Sequence, residues 1–300
     1  MSVPESRRKK LEILRRSIVK GDFAGAADLL RAQGRTEKDL GYKRYEPENP
    51  ITLEDACAGV ETPVAMPLGK GRFWLIRRPL SAVAPDLLGI ARDYAAVMSG
   101  SRQKFDELQA TDALCHAANG RPEDLLFMDV ESCGFSGCMI FLVGMMHFHA
   151  GEFHFDQYLA RNYAEEAAIL RAYAERYAQA KVLVTYNGKA FDMNMIRERC
   201  IFHGFKLPNC APPHLDLLME ARKRWRGRWA NCKLQTLEQN LCGRNRVGDI
   251  PGWAIADAYH KFVDTRDARA VRDIVHHNLL DLLTMGQLVH IMLSRSEPAV

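Results

Sequence analysis

The sequence predicts an α/β domain built on a mixed β-sheet flanked by helices. Three observations carry that prediction. Residues 125–130, 139–148 and 153–158 are apolar runs separated by turn-forming residues, as expected of consecutive strands joined by hairpins. A helical pattern over 163–178, carrying Ile169, Leu170 and Tyr173, is followed by a buried-type run at 182–186 and a helix from about Asp192. From Asp216 onward the pattern is helical, so a sheet opened by hairpins is completed by alternating strand and helix.

Ahead of this region, residues 6–33 read as two short helices. Leu11, Ile13, Leu14, Ile18 and Val19 recur at near-helical spacing, Gly21 ends the run, and Asp22 can cap the next helix. Residues 34–50 read as a polar linker. Two apolar runs within 61–80, split by Gly69-Lys70-Gly71, predict a hairpin. Helical patterns follow at 84–98 and 102–117, and Ala118-Asn119-Gly120-Arg121-Pro122 breaks them. The expected organisation is therefore a helical N-terminal extension containing a β-hairpin, residues 1–120, and a domain over 121–300. Its 300 residues suit one large domain or two modest ones.

Composition excludes several classes. With 47% hydrophobic and 26% charged residues, bulk disorder is ruled out. No apolar segment follows the basic N-terminus, and the longest apolar run, 139–146, falls far short of the roughly 20 residues that span a bilayer. The eight cysteines form no CxxC pair. The expectation is a cytoplasmic protein with reduced thiols and no membrane partner.

The acids are more specific. Asp129 and Glu131 stand two apart at the end of the first strand of the domain, so both carboxylates project from one face. Alone, such a pair reads most simply as a solvated strand end. Asp192 follows the 182–186 strand through the turn Tyr186-Asn187-Gly188-Lys189-Ala190-Phe191, at a helix start where capping is an alternative role. His277 and Asp281, four apart, share a helix face. Together, four carboxylates at the ends of separate elements and one imidazole fit a two-metal phosphodiester site. Hard divalent cations take oxygen ligands, and a pair about 3.5–4 Å apart can hold the attacking and leaving oxygens. A histidine near its ordinary pKa of about 6.5 can accept the water's proton.

The succession FMDVESCG, YNGKAFD and HNLLD resembles the three motifs of the DEDD superfamily of ribonuclease H-like 3′–5′ exonucleases. CKLQTLEQNL and GDIPG are similar to segments of its bacterial YprB-like branch. The likeness covers roughly residues 121–292. It implies a ribonuclease H-like sheet, with Asp129, Glu131, Asp192 and Asp281 as ligands of two divalent cations, Mg²⁺ or Mn²⁺, and Asp129 best suited to bridge them. It implies His277 as general base. His276, with four residues between it and Asp281, fits the spacing of the histidine subclass and is the alternative. Asn187 and Phe191 would shape the site floor and touch substrate, and Asp216 would be an accessory acid or a helix N-cap. Ser132 and Cys133 depart from the paired threonines of many relatives.

Between Ala221 and Arg246 lie Arg222, Lys223, Arg224, Arg226, Arg228, Lys233, Arg244 and Arg246 against Glu238 alone, eight basic residues to one acid in a chain whose net charge is only +4. Trp225 and Trp229 interleave with them. Arginines that neutralise phosphates and indoles that stack bases would suit a single strand; a solvated helix with its tryptophans turned inward is the competing reading. His147, His149 and His154, flanking the turn between the second and third runs, read as solvent-facing rather than as a metal site. The function expected is a metal-dependent 3′–5′ exonuclease acting on the 3′ end of single-stranded DNA or RNA. The alternatives are a nucleic-acid-binding protein with a vestigial site and an adaptor working through residues 1–120.

Overall fold

The computed structural model describes residues 49–294, apart from 68, 101–111, 136 and 210. The helices expected over 6–33, most of the linker, and the first part of the helix expected over 102–117 lie outside the described residues.

After a single helical turn at Leu53–Ala56 come β1 (Val60–Met66) and β2 (Gly69–Pro79), a further turn at Leu80–Val83, and then α1 (Leu88–Gly100) and α2 (Asp112–Asn119). Three strands come next: β3 (Leu125–Ser132), β4 (Ile140–His149) and β5 (Glu152–Leu159). Then α3 (Glu166–Gln179), β6 (Val182–Thr185), α4 (Asp192–Phe202) and β7 (His214–Asp216) alternate. Four helices finish the fold: α5 (Leu217–Trp225), α6 (Leu234–Leu241), α7 (Gly252–Thr265) and α8 (Arg269–Leu293). One seven-stranded sheet, in the order β1-β2-β5-β4-β3-β6-β7, contains every strand among the described residues. It is antiparallel from β1 to β3 and parallel from β3 through β6 to β7, the mixed sheet the sequence predicts.

Two details differ from the sequence reading. The hairpin ahead of residue 120 is not set apart from the later strands: β2 pairs with β5 from Trp74↔Leu159 to Pro79↔His154 and so extends the same sheet. β7, three residues long, goes unread in the sequence, which shows only the helix from Asp216 onward that Asp216 does cap; the strand is too short to show any periodicity, and only its pairing, Asp216 with Thr185 included, reveals it.

β4 is buried on both faces because helices cover both, which is why its sequence is a continuous apolar run rather than an alternation. On one face α8 and α1 close over Tyr94, Phe127 and Phe153; the Tyr94 and Phe153 rings lie 4.9 Å apart and the Phe127 and Phe153 rings 6.1 Å. On the other, the buried Glu166 of α3 accepts from Ile140 N at 2.8 Å, Arg199 Nε at 2.8 Å and His203 Nε2 at 2.7 Å, tying α3 and α4 to the start of β4. No helix among the described residues is long and apolar enough to cross a membrane.

Phe153 is fully buried between Tyr94, Phe127 and Phe148. Phe153→Ala should cost about 3–5 kcal/mol in urea unfolding, a loss that combines transfer and cavity contributions.

Candidate active site

The site is assembled at the carboxyl end of β3. Phe127, on the α8 face of the sheet, belongs to the core; two and four residues later the same face carries Asp129 and Glu131. Glu131 is buried, and a bulge after it ends the regular pairing with β4. Asp192 is the first residue of α4 and takes a backbone hydrogen bond from Val130 of β3. It arrives there because the preceding turn is pinned from below by Asp216. That buried carboxylate accepts from the N–H groups of Asn187 (2.7 Å), Lys189 (3.0 Å) and Leu218 (3.1 Å). Asn187 occupies the left-handed region at φ 66°, a conformation asparagine tolerates better than most residues. Asp216 is therefore both the N-cap of α5 and the anchor of the Asp192 turn. α8 supplies the remaining groups: His277 and Asp281 face the acids, while His276 is exposed.

The structure thus brings Asp129, Glu131, Asp192, His277 and Asp281 together. Burial pushes the Asp129 carboxyl well above its ordinary range, and the charges of Asp281, Glu131 and Asp192 push it the same way. Burial raises Glu131 to about 8; His277 opposes the rise, and Asp281, Asp192 and Asp249 add to it. Asp192 is pushed up to about 6 by burial, against its backbone hydrogen bonds. Burial also raises Asp281, with His277 and Arg246 opposing.

A cationic counterpart faces these acids, and most of it was not legible in the sequence. His277 Nδ1 lies 2.9 and 2.8 Å from the two oxygens of Asp249, and its Nε2 lies 3.6 Å from Asp281 Oδ2. Burial pulls the imidazole down, but the Asp249 hydrogen bond and the charges of Asp281 and Glu131 outweigh it and push it up to about 9. The Arg246 guanidinium donates to Asp281 Oδ1 (2.6 Å), Glu238 Oε2 (2.6 Å) and Asp249 Oδ2 (3.2 Å). Arg244 donates to Glu238 Oε1 (2.6 Å) and to Thr284 (2.8 Å). Asn278 Nδ2 donates to Asp129 Oδ2 at 2.9 Å. Asp249, Arg246, Glu238 and Asn278 are the site residues that sequence reasoning missed. The signals were the resembling segments GDIPG, CKLQTLEQNL and HNLLD, which carry Asp249, Glu238 and Asn278 without assigning them a role, and the basic stretch in which Arg246 counts as phosphate-binding charge.

The basic stretch 221–246 divides in two. Arg244 and Arg246 turn inward onto Glu238 and are not phosphate-facing charge. Arg222, Lys223, Arg226 and Arg228 are exposed, and Arg224 pairs with Glu220 at 2.9 Å. Trp225 is buried against the core, so it has no ring face to stack a base; Trp229 is half-buried beside it, with Arg228 over its ring at 5.2 Å. Phe191, at the turn before Asp192, is exposed. His147 and His154 are half-buried rather than solvent-facing, their rings 5.8 Å apart across β4 and β5; only His149 is exposed.

The donor set suits a hard divalent cation: four carboxylates gathered in a buried place that none of them tolerates alone. Among the described residues no three such groups already form a coordination cage.

Residues 126–293 match the family model RNase_H_2 of the RNase_H superfamily, and the chain belongs to that superfamily. Its domain is therefore of a ribonuclease H-like, nuclease type. It is 30% identical over 166 residues to the uncharacterized protein YprB of Bacillus subtilis (strain 168), a stretch that covers 54% of this chain and 40% of that relative. The structure is also similar to the family B DNA polymerase from the hyperthermophilic archaeon Pyrobaculum calidifontis, with a TM-score of 0.45 and 14% identity over 55% of this chain and 24% of the polymerase.

The raised carboxyls fix a pH dependence. Glu131 rises from 4.5 to about 8 and Asp192 from 3.8 to about 6, so the folded state binds their protons more tightly than the unfolded chain, and stability falls as pH rises through those ranges. His277, raised from 6.5 to about 9, contributes stability below 6.5 that is lost toward 9, the same direction. Metal-free protein should accordingly melt several degrees lower at pH 8 than at pH 5 in calorimetry. Glu131→Gln should remove much of that difference, and Mn²⁺ should raise the melting temperature more at pH 8 than at pH 5. A melting temperature independent of pH across this window contradicts the assignment.

Proposed function

We propose that this protein is a metal-dependent 3′–5′ exonuclease that hydrolyses phosphodiester bonds of single-stranded nucleic acid. The observation that supports it most is the convergence of Asp129, Glu131, Asp192 and Asp281 from β3, α4 and α8 on one side of a histidine whose far nitrogen is held by Asp249. Their order along the chain is that of the exonuclease motifs the sequence resembles.

In this reading the four carboxylates hold two divalent cations, Mg²⁺ or Mn²⁺. When bound, these supply Lewis-acid stabilisation of the charge that develops on the phosphate and favour ionisation of the attacking water. The chain's own groups do the rest. Asp249 fixes the His277 ring through Nδ1, which directs Nε2 toward the acids, where it takes the water's proton. A histidine at about 9 is protonated at neutral pH; neutralising Asp281 and Glu131 removes part of that rise and lowers the ring toward the range of a base, while the Asp249 hydrogen bond stays in place. Arg246 favours the charged form of Asp281 and orients it. Arg222, Arg226 and Arg228 on the exposed side of α5 and beyond it neutralise the backbone, and Phe191 and Asn187 meet the terminal nucleotide beside Asp192.

End-labelled single-stranded DNA, single-stranded RNA and duplex, incubated with Mg²⁺ or Mn²⁺, test this together. Mononucleotides should appear from the 3′ end of a single strand, and Asp129→Asn or Asp192→Asn should reduce release to background. Equal degradation by wild type and Asp192→Asn would show the activity to be a contaminant's. Tight binding with no turnover under any divalent metal would make the protein a nucleic-acid binder with a vestigial site.

The basic surface has its own test. Replacing Arg226 and Arg228 together by alanine should weaken oligonucleotide binding for all sequences alike and lower the slope of log affinity against log salt by roughly 1.4, at about 0.7 per phosphate contact on a single strand. An unchanged salt slope would remove this surface from the substrate path.

A further inference from the structure

One row of residues crosses the sheet beneath the acids. Asp129 of β3 pairs with Gly144 of β4, and Gly144 pairs with Gln157 of β5. Residues in register share a face, so all three look toward α8. Onto this row α8 lowers Asn278, which is fully buried, as is Gln157. Asn278 Oδ1 accepts from Gln157 Nε2 at 2.9 Å, and its Nδ2 donates to Asp129 Oδ2 at 2.9 Å. Gln157 Nε2 also donates to the Val275 carbonyl at 2.8 Å, and Gln157 Oε1 accepts from Arg78 Nη2 at 3.2 Å.

The chain of bonds has a direction. A guanidinium can only donate, so Gln157 must turn its oxygen to Arg78 and its amide nitrogen to Asn278. Asn278 must then receive with its oxygen and present its nitrogen to Asp129. Arg78 of β2 and the Val275 carbonyl, one able only to donate and the other only to accept, together set which atom meets the first-motif acid on β3. Gly144 makes the seat. A Cβ there would lie 1.8 Å from Asn278 Oδ1, 2.6 Å from Cγ and 2.7 Å from Nδ2, so the three atoms it would meet first all belong to Asn278. Glycine weakens the interior of a strand, and here, in the middle of a strand buried on both faces, it is the only residue that lets the amide lie across the row.

We propose that Asn278, seated on Gly144 and oriented by Gln157 and Arg78, is the positioning residue that holds Asp129 Oδ2 and so presents the remaining carboxylate oxygen to a divalent cation. The proposal rests on the metal-dependent reading above and deepens it: the hairpin strand β2, outside the likeness to known exonuclease motifs, becomes part of the metal-binding machinery.

The test is a double-mutant cycle read by Mn²⁺ titration calorimetry, with melting temperature and nuclease rate measured alongside. Gly144→Ala and Asn278→Ala should each weaken Mn²⁺ binding on the order of 10- to 100-fold, the usual effect of losing a residue that orients a ligand. The double variant should bind no more weakly than Asn278→Ala alone, because Gly144 matters only through the amide it seats. Gln157→Glu guards against variants that fail to fold. Its carboxylate still pairs with Arg78 but cannot donate to Asn278, so Mn²⁺ affinity should fall although the substituted residue touches no acid of the site. Losses of melting temperature with unchanged Mn²⁺ affinity, or fully additive losses in the cycle, would overturn the proposal. A wild-type protein that binds Mn²⁺ but leaves oligonucleotides intact would sink the nuclease reading and leave the positioning role standing; one that binds no Mn²⁺ would end both.

Discussion

Like charge held in a poorly solvated place is the constraint on which the rest of this structure depends. Burial raises the carboxyls of Asp129, Glu131, Asp192 and Asp281, and Asp281 in turn raises the other three. Such a cluster persists only if the surrounding chain supplies positive charge and donors. Arg246 is the main provider: its three nitrogens reach three different carboxylates, and its side chain is only 6% exposed. Buried ion pairs of this kind add little net stability over apolar packing, yet breaking one leaves an uncompensated charge and costs about 3–5 kcal/mol. The segment 244–250 is thereby held against α8 by the same acids it serves.

The second acid illustrates how little backbone is needed once a carboxylate organises it. β7 is three residues long, but it carries Asp216 to the floor of the turn after β6, where three N–H groups converge on one side chain. That anchor adds to the turn's own bonds from Ala190 N and Phe191 N to the Asn187 carbonyl, and together they hold Asn187 in a left-handed conformation and deliver Asp192 to the N–H of Val130. A parallel sheet edge and a helix cap, both ordinary features, together set the position of a functional acid.

How much of this was legible in the sequence depends on the range of the interaction. The central strands and the helix after them could be read because apolar periodicity is local. The acids of the site could be paired because i, i+2 on a strand and i, i+4 on a helix are also local rules. His277 is preferred over His276 on the family resemblance together with the helix spacing, and in the structure His277 lies beside Asp281 while His276 is exposed. What could not be read were partners distant in the chain: Arg246 with Glu238, His277 with Asp249, β2 with β5. The basic stretch is the plainest case. Counting charges from 221 to 246 gives eight positive groups, but nothing in the count distinguishes Arg226, which faces solvent, from Arg246, which faces three carboxylates. Trp225 was ambiguous for the same reason, since an indole beside arginines reads alike whether it stacks a base or fills a core.

α8 ties these contacts together. Within two turns it sends His277 to Asp249, Asn278 to the row across β3, β4 and β5, and Asp281 to Arg246. Three polar contacts in three directions can be satisfied at once only at a single distance and rotation of the helix over the sheet. Apolar packing sets both. Leu282, Met285 and Val289 are fully buried against the sheet, and Gly286 allows the closest approach: a Cβ there would lie 2.9 Å from Met146 Cε and 3.0 Å from Phe153 Cζ. Interiors this dense do not deform continuously. The aromatic core under α8 and the acids at the end of β3 are therefore one mechanical unit, in which glycines at 144 and 286 set the height at which the helix presents its polar residues to the sheet.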